Sequence, residues 1–280
     1  MTIKTRFVRL GLMLLGMVAF LVVLQVVQFP MRLVHVPNVP GVVVISAIAL
    51  AFYAGWVRLV ERRQPDELAP RAALPQGTLG LGIGVLLFGV TMALLAGAGA
   101  YAIRGFGGWS GVAAGFIVML GAAVVEEVLF RGFLFRTIRD IGGTWIAVAV
   151  SAIVFGALHA FNPGASAVST IAIALEAGVL LALSYAATNR LWLPIGLHLG
   201  WNFAEGSIFG TAVSGHAVSG ALLRGELHGP PALTGGSFGP EASFVAVLVC
   251  LAASVIFAVV VIRRERVPGL ALVVAVPNGL

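Results

Sequence analysis

The sequence predicts an all-α fold: a polytopic membrane bundle of about eight transmembrane helices. Three observations carry that expectation. Hydrophobic residues make up 60% of the 280-residue chain and charged residues only 10%, whereas soluble domains carry about 25% charged residues. Apolar runs long enough to cross a hydrocarbon core, about 20 residues of helix for about 30 Å, recur along the chain. The arginines sit almost wholly at the ends of those runs. A formal net charge of +6 would suggest nucleic acid in a soluble protein. Here it fits membrane orientation instead, and no basic patch interleaved with aromatics is present.

The expected spans are 10–29, 42–60, 79–103, 111–135, 145–161, 166–188, 191–209 and 243–262. The first could be mistaken for a signal peptide. Its apolar stretch, Leu10 to Phe29, exceeds an h-region of about 7–15 residues and no A-x-A-like site follows, so a retained span is expected. Small residues recur within the spans, as in "GLGIGVLLFGV", and allow close helix approach. The single cysteine, Cys250, lies in an apolar run and leaves the redox compartment open. With the N-terminus inside, 14 of the 17 Lys and Arg fall at inner ends. Arg32, Arg104 and Arg224 are the three outside. The positive-inside rule then puts both termini in the cytoplasm and makes the whole of 1–280 one integral membrane domain.

Two connectors stand out. The inner "ERRQPDELAPRAALPQG" is charged and proline-punctuated and reads as a solvated link. The outer segment 210–242 is rich in Gly, Pro and Ser, which marks irregular backbone. A loop of that length is characteristically functional or disordered. Its Glu241, and its histidines His216 and His228, read as solvated rather than metal-binding.

The chemistry lies in ionisable residues within the spans: Glu126, Glu127, Arg131, His159, Glu176, His198 and Glu205. A charge at mid-bilayer costs about 2.5–3.5 kcal/mol on insertion scales, so such residues face the bundle interior, pair, or line a hydrated cavity. In "AAVVEEVLFRGFLF", Glu127 and Arg131 are four apart and stack on one helical face with the acid first. Glu126 is rotated about 100° from it, so two adjacent acids can take different roles. "FGALH" puts Phe155 and His159 on one face, "HLGWN" does the same for His198 and Asn202, and Glu205 continues the latter stripe. Glu176 fits either a packing hydrogen bond or a cavity wall.

Several chemistries are excluded. H-E-x-x-H is absent. The aspartates, Asp66 and Asp140, fall near inner loops, and no serine in a span has the G-x-S-G context. Haem ligation by His159 and His198 would leave Glu126 and Asn202 unexplained. No cofactor is expected.

E-E-x-x-x-R at Glu126–Arg131, F-x-x-x-H at Phe155–His159 and H-x-x-x-N at His198–Asn202 resemble, in order, the three motifs of the CPBP intramembrane proteases. That family joins type II CAAX prenyl proteases with bacteriocin-processing, Abi-like proteins. The resemblance covers about residues 111–209, the expected catalytic core, and "GGSFGPEAS" is similar to a bacterial branch. It implies an eight-helix bundle with an intramembrane cavity and a metal-independent glutamic endopeptidase. It further implies that Glu126 activates water, that His159 holds or polarises that water, and that His198 and Asn202 donate to the oxyanion. Glu127 and Arg131 would fix the geometry. A peptide or membrane-protein substrate, the lipid bilayer as partner and a bacterial cytoplasmic (inner) membrane follow from the resemblance; the substrate itself does not. Water is a poor nucleophile near neutral pH, and a positioned carboxylate supplies the missing base. Two rivals of other classes remain: a proton-coupled transporter or channel using Glu126, Glu127, His159 and Glu205 as a relay, and a catalytically silent scaffold or immunity factor.

One point of geometry is open in the sequence. Glu126 and His198 count toward the cytoplasmic half, while His159 lies about 15 residues along its span; at 1.5 Å per residue the mismatch approaches roughly 10 Å.

Overall fold

The computed structural model describes residues 2–33 and 38–266. Its helices are α1 (Ile3–Leu33), α2 (Asn38–Leu59), α3 (Ala73–Gly97), α4 (Val112–Glu127), α5 (Arg136–Gly142), α6 (Thr144–His159), α7 (Ala167–Ile173), α8 (Val179–Thr188), α9 (Trp192–Phe203), α10 (Pro231–Thr234) and α11 (Phe244–Arg266). Lipid-exposed apolar side chains such as Leu14, Val18, Leu86, Ile153 and Val255 cover the outside, while Glu127, Arg131, Glu176 and Glu205 are buried. This is the distribution that a hydrocarbon solvent imposes.

Among the described residues, six helical segments are long and apolar enough to cross a membrane: Ile3–Leu33, Asn38–Leu59, Pro70–Gly97, Val112–Gly142, Ala167–Thr188 and Phe244–Arg266. The other two expected spans are shorter. α6 has 16 residues, and α9 has 12 followed by a five-residue π-helical turn, Ala204–Ile208. α9 is buried at every position from Leu193 to Asn202, so its neighbours surround it with protein.

What holds α9 in place is a seam of small residues against α3. A Cβ at Gly80 or Gly84 would collide with the α9 backbone, and one at Gly196 or Gly200 would collide with the α3 backbone. The two helices therefore pack backbone to backbone, the mode small residues permit in membranes. This contact fixes the axis that carries His198 and Asn202.

Three π-helical turns interrupt the ladder: Val128–Phe135 joins α4 to α5, Ala174–Gly178 joins α7 to α8, and Ala204–Ile208 extends α9. Such turns are rare and are frequent at functional sites. Here they hold Arg131, Glu176 and Glu205.

Three expectations are corrected at the connectors. The third span ends at Gly97, not 103, and Tyr101–Phe106 (β1) pairs antiparallel with Leu223–Leu227 (β2). The inner link is docked rather than solvated. Glu67 is buried, Arg63 bridges Glu61 at 2.9 Å and Glu67 at 2.8 Å, Arg136 pairs with Glu61, and the Leu191 amide donates to the Glu67 carbonyl at 2.9 Å. Prolines and charges made this stretch look like a linker, yet the charges pair with one another and with α5. In the outer loop, Glu241 is 2% exposed. The loop folds back onto the bundle: Gly215 donates to the Phe238 carbonyl at 2.7 Å, and Asn162 Nδ2 donates to the Ser214 carbonyl at 3.1 Å.

Candidate active site

α4 ends on the two acids. Glu127 is fully buried, and its Oε1 accepts from Arg131 Nη1 at 3.0 Å. Arg131 Nη2 donates to the Gly178 carbonyl, 3.3 Å away at the end of the α7–α8 π-turn. Its guanidinium lies 4.8 Å from the Phe155 ring centroid, a favourable cation–π placement. Breaking such a pair leaves a charge buried without its partner, which is strongly destabilising.

The same Glu127 oxygen lies 3.0 Å from His198 Nδ1. A carboxylate accepts, so Nδ1 carries the proton and donates. Nε2 is left facing Glu126, whose Oε2 is 4.0 Å away. That is too long for a direct hydrogen bond and is a separation that one water bridges. The Glu126 side chain is 31% exposed although Oε2 is buried. The residue lines a cleft between α1, α2 and α4, with Gln28, Arg32, Val42, Ile45 and Ala122 among its walls.

His198, Asn202 and His159 line a second cavity together with Phe155, Glu176 and Glu241. It has room for roughly one water molecule. His159 Nδ1 donates to the Phe155 carbonyl at 2.8 Å, which leaves Nε2 as the ring nitrogen without a protein partner. His159, the last residue of the 16-residue α6, lines the same cavity as His198, so the mismatch in level expected from the spans is absent.

Of the residues singled out in the sequence, Glu127 contacts both Arg131 and His198 directly, Glu126 Oε2 stands 4.0 Å from His198 Nε2, and His159 and Asn202 share the cavity with His198. Glu205 lies on the π-turn that follows α9, fully buried beside Gly239 and Glu241. Phe155 stands out in the sequence only by its spacing from His159 in F-x-x-x-H. Its ring packs on Arg131, on His159 at 4.6 Å between ring centroids and on His198 at 6.1 Å. It is the wedge that spaces the two imidazoles.

An apolar bundle with converging buried carboxylates, imidazoles and an amide defines a multi-pass membrane protein with a reactive polar centre. Residues 108–204 match the family model described as type II CAAX prenyl endopeptidase Rce1-like. The match contains all three motifs and bears out the resemblance to the CPBP and CAAX proteases, a family of peptidases. No curated protein and no solved structure matches the chain.

Proposed function

We propose that the protein is a metal-independent intramembrane endopeptidase that hydrolyses a peptide bond with Glu126-activated water. One observation carries this reading: Glu126 Oε2 stands 4.0 Å from His198 Nε2 while the rest of its side chain opens to a cleft. A water between them can lose its proton to Glu126 while a carbonyl presented from the cleft receives the oxygen. The developing oxyanion is met by Asn202 in any protonation state, and by His198 Nε2 when the ring carries both protons, since Nδ1 is committed to Glu127. Preorganised donors in a dry site are worth more than in water. Glu127 and Arg131 fix the His198 ring, and His159 helps to hold the water. The substrate is a peptide or membrane-protein segment, and the positive-inside bias supports a bacterial cytoplasmic membrane with cytoplasmic termini.

The test is cleavage of a quenched fluorogenic peptide library by the purified chain in proteoliposomes loaded with a pH-sensitive dye. Cleavage that persists in a strong chelator, without proton flux, is expected. Flux without cleavage would replace this reading with a transporter, and loss of cleavage in the chelator would replace the activator with a metal.

A further inference from the structure

Across the cavity from His198 lies an acid outside the three motifs. Glu241 arrives on the turn Pro240–Ala242, is 2% exposed, and lines the cavity that His159, His198 and Asn202 share. Its Oε1 finds no donor among the described residues, nor does either oxygen of Glu205 or Oε1 of Glu176. The Glu241 and Glu205 carboxyls are buried neighbours. Carboxylates only accept, so the two can join only when one member keeps its proton.

We propose that Glu241 is the acid that protonates the leaving amine, acting through the cavity water between it and His159. The inference rests on the endopeptidase reading and extends it to the second half of the reaction. Water adds to the carbonyl carbon as Glu126 takes one of its protons. The C–N bond then breaks, its electron pair goes to nitrogen, and that nitrogen takes the Glu241 proton. The proton held by Glu126 returns to Glu241 through cavity water and the imidazoles, so the products are one carboxylic acid and one amine. The cavity holds about one water, which suits proton transfer and is too small for a substrate side chain.

The groups around Glu241 agree with this role. Glu205 faces it from the π-turn after α9, Glu176 from the α7–α8 turn, and Cys250 of α11 donates to Glu176 Oε2 at 3.3 Å. The basic groups on the cavity are two imidazoles, His159 of α6 and His198 of α9. Burial pushes the Glu241 carboxyl above the usual carboxylate range, so it holds a proton where an exposed glutamate would not.

The experiment pairs two probes in proteoliposomes: a library peptide that the wild type cleaves, its scissile bond mapped by mass spectrometry, and the same sequence with an ester in place of that amide. An alkoxide leaves far more readily than an amide anion, so an acid on the leaving group matters less for the ester. Glu241→Gln is expected to lose about 10²-fold or more on the peptide and about tenfold or less on the ester. Glu241→Asp, which keeps the acid, should recover part of the peptide rate and is read the same way where Glu241→Gln does not fold. Equal losses on both probes, or no loss on either, would overturn the assignment. Glu126→Gln is expected to lose both probes, so failure of the base reading is distinguishable from failure of the acid reading.

Discussion

Glu127 Oε1 receives two donors, Arg131 Nη1 at 3.0 Å and His198 Nδ1 at 3.0 Å. One oxygen thus ties the end of α4 to α9 and sets the direction in which His198 Nε2 points. Truncating Arg131 leaves that carboxylate buried without its cation. Arg131→Ala is expected to cost about 3–5 kcal/mol of stability, measured as resistance to denaturant in detergent micelles. A change under about 1 kcal/mol would contradict the pair's structural role.

Asn202 lines the cavity beside His198. If it donates to the oxyanion, Asn202→Ala should lower kcat by about 10²–10³ with little change in KM. A rise in KM at constant kcat would make it a substrate-binding group instead.

If Glu126 is the base, the cleft between α1, α2 and α4 is the route by which a peptide reaches it. Ala122 is on its wall, one turn before the acid. Ala122→Trp should fill it and reduce kcat/KM by about tenfold or more, the effect of an obstructed binding pocket, while the melting temperature stays near that of the wild type. Unchanged kcat/KM would show that substrate arrives by another path.

The α3–α9 seam makes a prediction that does not depend on chemistry. A side chain at Gly84 meets the backbone of α9. Gly84→Val should destabilise by about 1–3 kcal/mol or more through overpacking, and should lower activity by displacing His198 and Asn202. Retention of both stability and activity would mean the helices are not in this contact.

How far the sequence foretold this arrangement follows from periodicity. His198 and Asn202 are four apart on α9, where 3.6 residues per turn brings them to one face, and Glu127 and Arg131, also four apart, meet at 3.0 Å although Arg131 lies in the π-turn. The hydrophobic runs likewise marked the helices. The α-helical period says nothing of π-turns, so the burial of Glu205 against Glu241 was not readable. The meeting of His159 with His198 was equally hidden, because it depends on how the helices pack and not on spacing along one of them. Glu241 was misread for a compositional reason. Its Gly-, Pro- and Ser-rich surroundings have the signature of a solvated loop, and only the tertiary contacts of Gly215 and Phe238 reveal that the loop is packed inward. The same holds for Glu67, whose charged linker folds against the start of α9.

Burial of Glu241 also has a thermodynamic signature. Its folded-state value is raised above the unfolded value of about 4.3. Above that pH the unfolded chain releases a proton that the folded chain keeps, so this group lowers stability as pH rises toward the folded value. Glu241→Gln should therefore flatten the fall in melting temperature as pH rises above about 4.3. Parallel slopes for variant and wild type would mean that the carboxyl ionises normally.

The central claim is that Glu126 takes the proton of the attacking water. The most direct measurement is kcat for a peptide cleaved by the wild type, compared with Glu126→Gln in the same proteoliposomes. Glutamine is isosteric and cannot accept that proton, so a loss of about 10²–10⁴ with an unchanged fold is expected. Full turnover by Glu126→Gln would contradict it.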